Sequence, residues 1–257
     1  MSNVIYYFSG TGNSLFIAKK LSENIADTVL LNIFAADYNT NYDSIGFVFP
    51  VHCMSYPKAI KDFVNKIDIS KVKYIYAVCT SGGDSGNLIY NFNRFLMKKQ
   101  KMLNYGYEIK LADNSLLIET KPILIKKRFL EARELIETIS KDVSNGINNA
   151  DTFKYSFNKF IVENILKMAL SLVYQIDDKQ SDIEKCNMCG KCTAMCPSKN
   201  ISISNDKIVF GENCVNCFSC INNCSKGAIY FGKVKPGKYK QYKMPKVEHL
   251  QQEPEAF

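Results

Sequence analysis

Apolar and polar positions along the first 150 residues alternate between two periods. Val4–Phe8 is an uninterrupted apolar run, fit for a strand buried on both faces. A glycine-bearing turn follows, and then apolar residues at helical spacing from Leu15 to Ile25. Val29–Asn32, Ile45–Pro50, Tyr74–Cys79 and Tyr107–Leu111 repeat the strand signature. Between them, Pro57–Lys66 places Ala59, Ile60, Phe63 and Ile67 on one helical face, and Asn87–Lys99 does the same with Leu88, Phe92, Phe95 and Leu96. Lys127–Val143 reads as a strongly amphipathic helix bearing Leu130, Leu135, Ile136 and Ile139. Strand–helix alternation of this kind predicts an α/β doubly wound parallel sheet, with ligands at the carboxyl ends of its strands.

The pattern changes at 144–152, a polar break. Phe153–Ile176 then reads as one helix, with Ile161, Ile165, Met168, Leu172 and Ile176 in a stripe expected to pack two domains together. Glu163 and Lys167 make it a poor membrane span. Asp177–Lys185 is polar and leads into a stretch that holds eight of the ten cysteines.

That stretch reads CNMCGKCTAMCP, sixteen residues, then CVNCFSCINNCS. Each half is C-x2-C-x2-C-x3-C, the spacing of a bacterial ferredoxin with two 4Fe–4S clusters. Three cysteines three apart wrap one turn of chain around three irons, and the fourth serves the other cluster. The expected metal ligands are therefore Cys186, Cys189, Cys192 and Cys224 for one cluster, and Cys214, Cys217, Cys220 and Cys196 for the other. The halves are a repeat offset by 28 residues, with Ile201 and Ile203 mapping to Ile229 and Phe231. Pro197 follows Cys196, whereas Ser225 stands in the matching place of the second half. Zinc sites use cysteine pairs separated by longer loops, and disulfides suit secreted chains.

Composition adds little to this pattern. The chain has 257 residues, 46% hydrophobic, enough for one or two cores. The amino terminus lacks a signal-peptide pattern, so the expected setting is reducing and cytoplasmic. Formal charge is +8. Bound groups lower it, the two clusters by about 2 each, so no nucleic-acid partner is expected. After Gly232 the tail interleaves six lysines with two tyrosines over Lys233–Lys246, and the expectation is a solvated segment.

Three loops follow strands and carry the candidate binding residues. Ser9, Gly10, Thr11, Gly12, Asn13 and Ser14 open a helix directly after a strand, so backbone N–H groups and the helix dipole face an anion. The loop is neither a Walker motif nor G-x-G-x-x-G. The second loop holds Pro50, Val51, His52, Cys53, Met54 and Ser55, and the third Thr80, Ser81, Gly82, Gly83, Asp84, Ser85, Gly86 and Asn87. Cys79 reads as core, and nothing near Cys53 lowers its pKa in the manner of a catalytic thiol.

FSGTGNS resembles the T/S-x-T-G-x-T phosphate loop of flavodoxins, with Ser14 in place of the last threonine. FPVHCMSYP is similar to an F-P-V-Y loop, with His52 where an aromatic is common, and LADNSL (Leu111–Leu116) resembles the segment after the fifth strand. The whole chain looks like the flavodoxin–ferredoxin fusion proteins of anaerobic microbes. The resemblance implies FMN, held by its phosphate on the first loop and by its ring between the other two. It also implies a five-stranded sheet in the order 2-1-3-4-5 and a C-terminal α+β ferredoxin-like domain. The expected organisation is a flavodoxin-like domain over 1–150, a helical connector over 151–181, a ferredoxin domain over 182–232 and a basic tail over 233–257.

Neither half shows a general acid–base pair or a nucleophilic triad. Low-potential electron transfer between redox partner proteins is the expected function. The alternative is an FMN-dependent reductase of a quinone or nitro compound. The connector is long enough to bring the clusters to the flavin of its own chain or to that of a neighbour in a homodimer.

Overall fold

The computed structural model describes residues 2–234 and 239–245. Its first part is a five-stranded sheet of β1 (Asn3–Tyr7), β2 (Thr28–Asn32), β3 (Ser44–Pro50), β4 (Tyr74–Ser81) and β5 (Tyr105–Lys110). All pairings are parallel and the order is β2-β1-β3-β4-β5. This is the flavodoxin-like order, with the reversal between β1 and β3. Every residue of β3 and β4 is buried, which is why both read as continuous apolar runs.

Helices α1 (Asn13–Asn24), α2 (Lys58–Lys66), α3 (Leu88–Met97) and α4 (Pro122–Ser144) make the crossovers. Phe47, Phe49, Phe63 and Phe92 fill one face of the sheet under α2 and α3, and Ile17, Leu21, Val78 and Ile136 fill the other under α1 and α4. Two local readings change. The helix α4 begins at Pro122, a residue suited to the first helical turn, and it turns Phe129 inward while Leu130 stays exposed.

The connector departs most from expectation. It is not one helix over Phe153–Ile176. A 3-10 turn covers Ala150–Thr152, α5 runs Phe157–Met168 with Ser156 as its N-cap, and a π-helical turn covers Ala169–Val173. Most of the apolar stripe faces away from both halves: Ile161, Ile165, Met168 and Leu172 are 42%, 56%, 57% and 69% exposed. The buried positions are Glu163 and Leu170.

The last part contains β6 (Lys179–Ser181), α6 (Lys191–Met195), β7 (Ile201–Ser204), β8 (Lys207–Phe210), α7 (Ser219–Asn223) and β9 (Ile229–Phe231). Two antiparallel ribbons, β6 with β9 and β7 with β8, flank the short helices. The 28-residue duplication is visible in the backbone. Met188 and Asn216 take φ of 54° and 51°, Gly190 and Phe218 take 71° and 56°, and Lys199 and Gly227 take 50° and 58°. Phe218 therefore adopts the left-handed conformation that its counterpart Gly190 adopts at lower cost.

The tail is not a solvated run over 239–245. Tyr239 Oη donates to the Ile229 carbonyl at 2.5 Å, and the Tyr242 backbone N–H donates to Asn222 Oδ1 at 2.7 Å. Gln241 reaches the Ile221 and Cys224 carbonyls, and Lys240 pairs with Glu119. The rest of the basic run, residues 235–238 and Lys246, lies outside the described residues. Among the described residues, no helix is long and apolar enough to cross a membrane.

Candidate functional site

Ser9–Ser14 sits where β1 hands over to α1. Gly12 is the helix N-cap at φ 107°, in the left-handed region. Ser9 Oγ accepts from the Gly12 N–H at 3.1 Å, and Ser14 Oγ shares a 2.8 Å hydrogen bond with Thr80 Oγ1 at the end of β4. Asn114 Nδ2 donates to Thr11 Oγ1, which leaves the threonine proton free to turn toward a ligand. No side chain caps the first turn of α1, so its N–H groups remain the kind of donor set that suits a phosphate.

The other two loops meet beside it. Val51 N–H donates to the Thr80 carbonyl at 2.8 Å, and a Cβ on Gly86 would stand 2.8 Å from Met54 Cβ. His52 and Ser55 exchange backbone hydrogen bonds across Cys53 and Met54, both at positive φ, which makes a tight two-residue turn. The His52 ring lies edge-on to Phe8 at 5.9 Å, and burial pulls its pKa down to about 4, so the imidazole is neutral. Burial pushes the Cys53 thiol up, which removes thiolate character. Cys79 is fully buried in the core.

Several residues that the sequence reading passed over hold these loops. Glu108 accepts from Ser81 Oγ at 2.5 Å and from Ser85 Oγ at 2.6 Å. Arg128 donates to the Gly82 and Leu111 carbonyls. From the connector, Ser156 and Asn87 bond reciprocally at 2.8 Å, and Lys159 pairs with Asp84 at 2.9 Å. The helix α5 is thus tied to the third loop. Its buried Glu163 pairs with Lys167 through Oε1, while Oε2 has no hydrogen-bond partner among the described residues.

The motif cysteines fall into two neighbourhoods. Cys186 and Cys224 bear electrostatically on Cys192, whereas Cys214 and Cys196 bear on Cys217 and Cys220. Asn200 N–H donates to Cys196 Sγ at 3.2 Å, and its repeat partner Ala228 N–H donates to Cys224 Sγ at 3.3 Å. Such bonds favour a thiolate and orient it. Among the described residues, no three His, Cys, Asp or Glu side chains are close enough to share a single metal ion. Cys189 is exposed and the other seven motif cysteines are half-buried. Burial raises the Cys192 thiol pKa, and pushes the Cys217 and Cys220 thiols up to about 11 and about 12.

The two halves touch at the Ser9–Ser14 loop. A Cβ on Gly10 would stand 2.1 Å from the Cys217 carbonyl oxygen, so glycine is what permits the approach. Met244 closes on Gly12, and Tyr242 Oη donates to Asn13 Oδ1 at 2.6 Å. Asn222 Nδ2 reaches the Asn114 carbonyl.

Residues 178–225 match the family model described as a 4Fe-4S dicluster domain. Among solved structures, the chain is similar to the two-electron reduced flavodoxin of Megasphaera elsdenii at 18% identity, over 54% of this chain and 99% of that one, with a TM-score of 0.38. Rubredoxin oxygen:oxidoreductase of Desulfovibrio gigas aligns at 14% identity over 56% of this chain and 36% of that one, with a TM-score of 0.40. An FMN-dependent NADH-azoreductase of Bacillus anthracis aligns at 11% identity over 56% and 100%, with a TM-score of 0.37. A search of the curated proteins found no match. The fold assignment rests on strand order and connectivity and not on these scores. A flavodoxin-like sheet in the order 2-1-3-4-5, followed by a 4Fe–4S dicluster domain, gives the chain the architecture of a flavodoxin–ferredoxin fusion.

Proposed function

We propose that the chain carries electrons at low potential between redox partner proteins, with one FMN in residues 1–150 and two 4Fe–4S clusters in residues 182–232. When bound, FMN exchanges one or two electrons and each cluster exchanges one. The α1 N-terminus with Thr11 and Ser14 would hold the phosphate, and the His52–Ser55 and Thr80–Asn87 loops would hold the ring. Cys186, Cys189, Cys192 and Cys224 would hold one cluster, and Cys196, Cys214, Cys217 and Cys220 the other.

The contact of Cys217 with Gly10 carries this reading. It puts a cysteine of the second neighbourhood directly on the loop proposed for phosphate. Val215 and Cys217 also pack against the core of the sheet. The connector holds the third loop through Ser156 and Lys159, and the tail clamps the first through Tyr242. The protein's task in such a carrier is to fix distance and exclude water between redox groups, and these contacts support that reading. The neutral His52 adds no charge beside the ring loops.

Anaerobic purification followed by iron, sulfide and flavin analysis tests the proposal. The expected result is eight irons, eight sulfides and one FMN per chain. Four irons, or FAD in place of FMN, would overturn it.

A further inference from the structure

Lys179 is a buried lysine outside every motif. It lies on β6 at 8% exposure. Its Nζ donates to Asn216 Oδ1 at 2.6 Å and to the Ile176 carbonyl, and it stands over the rings of Phe218 and Phe231 at 5.5 and 5.6 Å. Asn216 sits between Cys214 and Cys217, and its Oδ1 also accepts from Cys214 Sγ at 3.6 Å. Burial pulls the lysine toward its neutral form, and Cys214, Cys220, Asp177 and Cys217 pull it back. A buried ammonium persists only with compensating negative charge. Among the described residues Lys179 makes no salt bridge, so compensation comes from Asp177 and the cysteine cage beside it.

The repeat supplies an internal control. Twenty-eight residues on, Lys207 stands at the matching place, and it is exposed. Asn216 is matched by Met188, which offers no amide oxygen. The duplication therefore carries a lysine in both halves and buries only one, beside the neighbourhood that touches Gly10. Adding an electron makes a cluster more negative, and a fixed nearby cation favours that state.

We propose that Lys179 makes the two clusters unequal, holding the one on Cys196, Cys214, Cys217 and Cys220 at a higher reduction potential than it would otherwise have, while the described lysines beside Cys186, Cys189, Cys192 and Cys224, namely Lys191, Lys226 and Lys243, are exposed to solvent. The inference rests on the two-cluster reading above. It assigns a gradient: the cluster with the exposed Cys189 faces solvent and partners, and the lysine-held cluster faces the flavin loops.

The test is a redox titration of the holoprotein followed by electron paramagnetic resonance, with iron counted in every sample. Lys179→Gln keeps amide donors for the two oxygens and removes the charge. One midpoint potential is expected to fall enough to change the reduced-to-oxidised ratio at least tenfold at the wild-type midpoint, about 59 mV for one electron. The other midpoint should stay, as should both in Lys179→Arg and in Lys207→Gln. Eight irons with no shift in Lys179→Gln, or an equal shift in Lys179→Arg, overturns the role of the lysine alone. If Lys179→Gln loses iron, restoration of loading by Lys179→Arg supports the electrostatic role, and failure to restore it overturns that role. Wild-type protein with only four irons overturns the two-cluster reading itself.

Discussion

His52 shows how a residue's environment decides its chemistry. A loop histidine could stack on a flavin, tune the charge of the reduced ring, or simply tolerate the turn. Packed against Phe8, it is neutral, with a folded-state pKa of about 4 against an ordinary value near 6.5. Between these pH values the unfolded chain binds the extra proton, so stability is full above about 6.5 and falls as pH drops toward 4. The ring keeps some contact with solvent, so the loss should be on the order of 1–3 kcal/mol. Thermal unfolding across that range should show it, and His52→Gln should flatten the dependence; parallel curves would assign it to other groups. Thr11 gives a second residue-level expectation. With Asn114 donating to its oxygen, its proton is free for a phosphate. Thr11→Val should weaken FMN binding by about 1.5–3 kcal/mol, roughly ten- to a hundredfold, and leave riboflavin binding nearly unchanged. Titration of both flavins into apoprotein checks this, and equal losses would give Thr11 a role in loop shape instead. The cysteine duplication and the glycine-bearing turn were legible because each is written in local spacing. Lys179, Glu108 and Arg128 were not, because each acts on residues distant in the chain.

At the scale of elements, strands β3 and β4 were legible because a strand buried on both faces must be apolar throughout. The connector was misread for a related reason. Ile161, Ile165, Met168 and Leu172 recur at helical spacing, which says they share a face but not what that face meets. The structure turns that face outward and seats Glu163 and Leu170 inward. The consequence is measurable. Ile165→Gln should leave the melting temperature nearly unchanged, within about 0.5 kcal/mol, as surface substitutions do. Were the stripe the seam between domains, the change would cost several kcal/mol. The tail was misjudged too. Its lysines suggested a solvated run, while Tyr239, Gln241 and Tyr242 are the residues that bind it down.

For the whole molecule, one small residue controls how the halves meet. Gly10 has ordinary backbone angles, so alanine costs nothing locally, but its Cβ would stand 2.1 Å from the Cys217 carbonyl. Backbone against Cβ cannot be relieved by rotating a side chain. The ferredoxin part must shift, and overpacking of this kind costs about 1–3 kcal/mol. Because the proposed phosphate donors lie in the first turn of α1 and the proposed cluster ligands in a separate fold, Gly10→Ala should retain its iron and its flavin. What it should lose is communication between them. Rapid anaerobic mixing with a one-electron reductant follows the flavin and cluster absorption separately. Flavin reduction in the wild type should outrun that in a variant whose clusters are absent, and Gly10→Ala should fall between the two. A rate independent of protein concentration would place the route within one chain, as the Cys217 contact implies; a rate rising with concentration would place it between two. Flavin reduction at one common rate in all three proteins would mean that the contact at Gly10 holds the halves together without connecting their chemistry.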